Sequence, residues 1–145
     1  MVSICPEEHG ATRPAVARND IRKIMSQNPI NLTVRFLLEI IALVALGTLA
    51  KAQFPGALGF ILMIALPLFA AVVWGTFNVE GDPSRSGKAP VPVPGIVRLL
   101  IELDIFGCAT WALFSLNPIY GWIFGLVTLV HYILSYDRII WLLER

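Results

Sequence analysis

LTVRFLLEIIALVALGTLA, residues 32–50, is a run of nineteen residues that carries one arginine, one glutamate and otherwise almost nothing polar. A bilayer core about 30 Å thick is crossed by roughly 20 apolar residues in helical form, so this stretch predicts a transmembrane helix. Three more segments read the same way. Residues 57–77 contain no charged side chain; 96–116 are charged in their first turns and apolar afterwards; 119–136 contain His131. All four runs are too long for strands, and lipid offers no hydrogen-bonding partner to an open sheet edge. The prediction is an all-α membrane protein of four transmembrane helices.

Composition agrees. The 145 residues are 57% hydrophobic and 14% charged, with a mean hydropathy of +0.73, whereas soluble domains run near 25% charged. Net charge is +1, and there is no basic stripe of the kind that binds nucleic acid. Cys5 lies in a polar tail and Cys108 in an apolar segment, which argues against a bridge, and no Cys/His spacing suggests zinc. Residues before Leu32 lack a cleavage-site pattern.

The connections are unequal. KAQFPG (51–56) and Asn117-Pro118 are tight turns, making consecutive helices antiparallel neighbours, while 79–95 (VEGDPSRSGKAPVPVPG) is a polar, Pro- and Gly-rich loop expected to be flexible. An even number of spans puts both termini and this loop on one side. Ten of the eleven Lys and Arg residues fall there and only Lys51 lies opposite, so the positive-inside rule makes that side cytoplasmic. Trp122 and Tyr120 at one end, with Tyr136 and Trp141 at the other, suit aromatic belts. Residues 1–27 show no sustained period and predict a disordered or dispensable cytoplasmic tail, with either Met1 or Met25 as the start of the chain. Residues 28–145 then form the membrane domain.

Val34-Arg35-Phe36-Leu37-Leu38-Glu39 recurs 63 residues later as Val97-Arg98-Leu99-Leu100-Ile101-Glu102. Each copy opens a two-helix unit, which predicts two antiparallel hairpins related by an internal duplication, as in parallel repeats of transporters. Within each copy Arg and Glu are four residues apart, on one helix face. The arginines can snorkel outward, but the glutamates lie about 6 Å deeper, where a lone charge costs about 2.5–3.5 kcal/mol. Equal depth suggests exchange across the axis, Arg35 with Glu102 and Arg98 with Glu39. Asp104, two residues past Glu102, points to another face, and His131 on the fourth span reaches a similar level.

Two functional readings of Glu39, Glu102, Asp104 and His131 compete. One is a proton- or cation-binding site in a small transporter or channel working as an oligomer, with His131 relaying protons. The other is a structural clasp, in which Arg35 and Arg98 pair with the glutamates and fix helix register in a structural or accessory membrane subunit. Each Glu comes with its own Arg, which favours the clasp. The Glu-x-x-His spacing of carboxylate-histidine metal centres is absent, and a single intramembrane His cannot hold haem from both sides. No cofactor is expected. No G-x-S-x-G motif and no Cys beside a His marks a nucleophile, so no enzyme is expected either. The expected partners are the lipid bilayer and either a second copy or another membrane protein.

Pro67 predicts a kink. Gly121-xxx-Gly125 and Ala71-xxx-Gly75 predict close helix approaches within the chain. Trp74 and Asn78 read as interface anchors.

Asn28-Pro-Ile-Asn-Leu leading into Arg35-Phe-Leu-Leu-Glu39, Leu66-Pro-Leu with Trp74-Gly-Thr-Phe, and Arg98-Leu-Leu-Ile-Glu102 with Phe106-Gly together resemble the YrdB-like family of small bacterial membrane proteins. The resemblance runs from about Asn28 to the C-terminus, leaving out the loop at 79–95. It implies a compact four-helix domain of the inner membrane and supplies neither substrate nor catalytic residues.

Overall fold

The computed structural model describes residues 28–82 and 89–145. The expected tail over 1–27 and the centre of the long loop, 83–88, lie outside the described residues. Among the described residues five helices form: α1 (Pro29–Gln53), α2 (Gly56–Thr76), α3 (Gly95–Leu116), α4 (Pro118–Leu134) and α5 (Tyr136–Leu143). Two begin on an Asn-Pro pair. Asn28 and Asn117 each accept a hydrogen bond from the backbone N–H two residues on, at 3.0 and 2.9 Å, and the following prolines occupy a first-turn position where no donor is needed. Between α1 and α2 the chain reverses through Pro55 and Gly56, the latter at φ +66°, which glycine adopts without strain.

Helices α1, α2 and α3 are each long and apolar enough to cross a membrane, and α4 with α5 makes a fourth crossing if that pair is taken as one broken span. The sequence predicts the fourth segment over about 119–136, with a continuation through 138–143 along the interface. Its straight part ends at Leu134, and α5 leaves at 68°. The break falls at Ser135, whose hydroxyl exchanges hydrogen bonds with the Asn31 side chain of α1 at 2.9 and 3.2 Å.

Packing runs through α1 and α3. Buried residues on α1 recur at Arg35, Leu38, Ala42, Ala45 and Leu49, and on α3 at Arg98, Glu102, Ile105, Ala109 and Ala112. This three-four spacing places a seam of alanines between the two helices, and small side chains let backbones approach closely. Helix α2 packs on α1, and α4 on α3. Large apolar side chains such as Phe36, Ile40, Ile64 and Phe69 face outward. Exposure of this kind over so many helical faces marks a surface covered by something apolar.

The small-residue patterns divide. Gly121 packs on the Phe114 ring and Gly125 on the Thr110 methyl, joining α4 to α3, whereas Gly75 faces open space. Gly47, outside either pattern, packs α1 closely against α2. A Cβ there would lie 2.6 Å from the Met63 carbonyl oxygen and 3.1 Å from Pro67 Cγ. Gly47→Ala is expected to destabilise the chain by about 1–3 kcal/mol by overpacking, read as a lower Tm in detergent.

The all-α expectation needs one addition. Phe77–Asn78 (β1) and Val91–Pro92 (β2) pair in parallel, with Phe77 opposite Val91, so the described ends of the long loop are tied to each other. The Val93 N–H also donates to the Asn78 carbonyl at 3.0 Å. Gly81, at φ +76°, turns the chain after β1 and brings Asp82 back against the bundle. Val79 buries with Leu99 and Leu142, closing this end of the fold.

Candidate functional site: a buried arginine-carboxylate cluster

Glu102, on the second turn of α3, is the centre of the cluster. Its Oε1 accepts from Arg98 Nε on the same helix at 3.0 Å and from Arg35 Nη2 on α1 at 2.7 Å. Arg138 on α5 adds a two-pronged contact, Nη1 to Oε2 and Nη2 to Oε1, both at 2.8 Å. Such bidentate pairs are the strongest and most direction-specific of ionic hydrogen bonds. Arg138 Nη2 also donates to Asp82 Oδ2 at 3.0 Å, and Arg35 Nε to Glu39 Oε1 at 3.1 Å.

Arg98 is fully buried and does not snorkel as its position in the sequence suggested. Its Nη1 donates to the carbonyls of Trp74 and Phe77 at 2.7 and 2.6 Å. These belong to the last turn of α2 and the residue after it, where carbonyls lack intrahelical partners and the helix dipole is negative. The guanidinium also lies 5.7 Å from the Trp74 ring, within range of a cation–π contact. Trp74 is therefore a core residue, 4% exposed and edge-on to Phe106 at 5.3 Å, and Asn78 is buried, its amide donating to the Gly75 carbonyl. Neither is the interface anchor that the sequence suggested.

Among the described residues three guanidinium groups thus meet three carboxylates, and the cluster joins α1, the end of α2, the turn at Asp82, α3 and α5. The two motif copies are unequal within it. The Glu102 side chain is 2% exposed and held by three arginines, while that of Glu39 is 22% exposed at the edge. His131 on α4 adjoins the cluster. With Asn31, Tyr132 and Ser135 it lines a cavity of about 10 Å³ that also touches Glu102, Arg35 and Arg138, the size of a single water. His131 Nδ1 and the Tyr132 hydroxyl are buried there without a hydrogen-bond partner among the described residues. Asp104 stands apart, exposed on another face of α3. No group of three His, Cys, Asp or Glu side chains among the described residues is arranged to hold a metal ion.

Sequence reasoning missed Arg138 and Asp82. Arg138 carried a signal only in retrospect: α5 has its apolar residues on one face, and Arg138 lies among them, buried with Leu142. Asp82 had none.

Residues 33–129 match a family described as "Protein of unknown function (DUF2568)". The chain is 43% identical over 120 residues, 81% of its length, to a Bacillus subtilis (strain 168) protein described as uncharacterized protein YrdB, and the match covers 97% of that relative. No solved structure matches.

Proposed function

The chain belongs to the DUF2568 family, as its YrdB-like motifs suggested, and from that premise we propose a four-span integral membrane protein acting as a structural or accessory subunit. The observation that carries this reading is the balance of the buried cluster. Among the described residues, three arginines and three carboxylates hydrogen-bond one another across four elements of the fold. A transport carboxylate has to exchange its partner for a proton or a cargo ion, and Glu102 is instead locked by three guanidinium groups. Charges held this way set helix register and do no chemistry. In this reading the two Val-Arg-x-x-x-Glu copies descend from a duplicated hairpin, and the second copy became the centre of the clasp.

The excess of Lys and Arg at the ends of the helices flanking the long loop supports an orientation with both termini in the cytoplasm. Exposed Trp122 and Tyr120 at the other end suit the far interface. With Cys5 and Cys108 replaced by serine, Gln53→Cys is expected to react with an impermeant maleimide in intact cells, and Glu144→Cys only after permeabilisation. The reverse pattern would invert the topology.

The cavity beside His131 favours a second reading, a proton-relaying transporter or channel working as an oligomer. Sealed vesicles containing the purified chain separate the two. The accessory role expects no proton- or cation-driven flux, and a membrane partner retained in fixed stoichiometry. Flux abolished by Glu102→Gln in a chain that stays folded would establish the second reading instead.

A further inference from the structure

Asp104 is the one carboxylate of α3 outside the cluster. It lies nine residues beyond Gly95, about 13 Å along the helix axis, well inside a segment long and apolar enough to cross a membrane. It is exposed and pairs with no side chain among the described residues. It opens into a groove of about 420 Å³ between α2 and α3, walled by Leu46, Leu66, Phe69, Val73 and Leu100. Grooves of that size suit small organic ligands, with apolar walls for burial and a few polar groups for orientation. A carboxylate facing hydrocarbon alone is costly, so the groove calls for an occupant that brings positive charge.

The surroundings narrow the choice. An inorganic cation needs several oxygen ligands to replace its water, and apart from Asp104 the wall is aliphatic and aromatic but for the Cys108 thiol. A second copy is equally unsuited. Of the cations among the described residues, Arg35, Arg98 and Arg138 are engaged in the cluster, while Lys51 and Arg145 lie near the ends of the helices. A symmetric dimer here would face one Asp104 with another. What fits is a cation that carries its own apolar surface and reaches the site from the lipid. We propose that the α2/α3 groove is a binding site for lipophilic organic cations, with Asp104 as the counter-charge and Leu66, Phe69 and Val73 as the apolar wall. This goes beyond the accessory role and does not depend on it.

The test is equilibrium binding of radiolabelled tetraphenylphosphonium to the full-length chain in detergent, with tetraphenylborate as an anion of matched size. Saturable binding of the phosphonium is expected. Asp104→Asn should weaken it by about tenfold or more, the scale of one unscreened charge–charge attraction near a protein surface. Leu100→Trp, which fills the groove from an exposed position, should also weaken it. Both variants should keep the parent's thermal unfolding curve, since neither touches the cluster or the α1/α3 seam. The proposal is overturned if the parent shows no saturable binding, if Asp104→Asn binds as the parent does, or if the borate binds equally well. An Asp104-dependent dimer without phosphonium binding would give the groove to a second copy. Binding of a transmembrane peptide with a central lysine, in place of the phosphonium, would give it to a partner helix. Either result also overturns the proposal.

Discussion

Glu102→Gln lowers the thermal unfolding midpoint in detergent by about 10 °C, the scale expected when a buried ion pair loses one partner at about 3–5 kcal/mol. The amide preserves the volume of the side chain and removes its charge. Arg35, Arg98 and Arg138 then share an uncharged group that presents two donors of its own where the carboxylate presented only acceptors. Among the described residues, the three buried guanidinium groups are left with two carboxylates, Glu39 and Asp82. Glu39→Gln is the control, because it changes the same residue type at the matching motif position. Its carboxylate is partly exposed and is held by Arg35 on its own helix, so the expected cost is about 1 kcal/mol or less. Equal losses in the two variants would mean that the copies are equivalent after all. No loss in Glu102→Gln would mean that the cluster does not hold the bundle together, and the vesicle flux measurement would then decide what Glu102 does.

The second large effect is expected from Gly95→Ala, at the first residue of α3. A Cβ there would collide with the Leu142 carbonyl oxygen and lie 2.6 Å from its carbon. Both atoms are backbone, so no rotamer change relieves the clash. Either α3 shifts at its start or α5 lifts away, and both pull Arg138 from Glu102 and Asp82. The loss should reach the upper end of overpacking penalties, about 3 kcal/mol. Limited proteolysis after Arg138 separates the two responses, since lifting α5 exposes its backbone. Unchanged stability and unchanged cleavage would show that α5 is not docked on α3 in the membrane.

These two positions show where sequence reasoning reached its limit. Glu102 was legible, because an Arg and a Glu four residues apart on an apolar helix demand a partner whatever the tertiary structure. Its dominance over Glu39 was not legible, because the two copies of the motif are nearly the same string. Gly95 gave no warning: it sits at the end of a Pro-rich loop, where glycine is ordinary, and only the backbone of Leu142 makes it obligatory.

The sequence by itself determined the long apolar helices, the tight reversals between them and the arginines and glutamates placed among lipid-like neighbours. Each of these depends on a few adjacent residues and on the cost of an unpaired polar group in an apolar medium. The tertiary structure decided that Arg138 and Asp82 complete the cluster, that Arg98 closes the end of α2, and that Asp104 is left facing a groove. The last two of these depend on how α2 sits beside α3, the first on the 68° bend at Ser135 and the turn at Gly81. Small changes in backbone angle there swing a distant side chain through many ångströms, and only the packing of the assembled helices selects the angle.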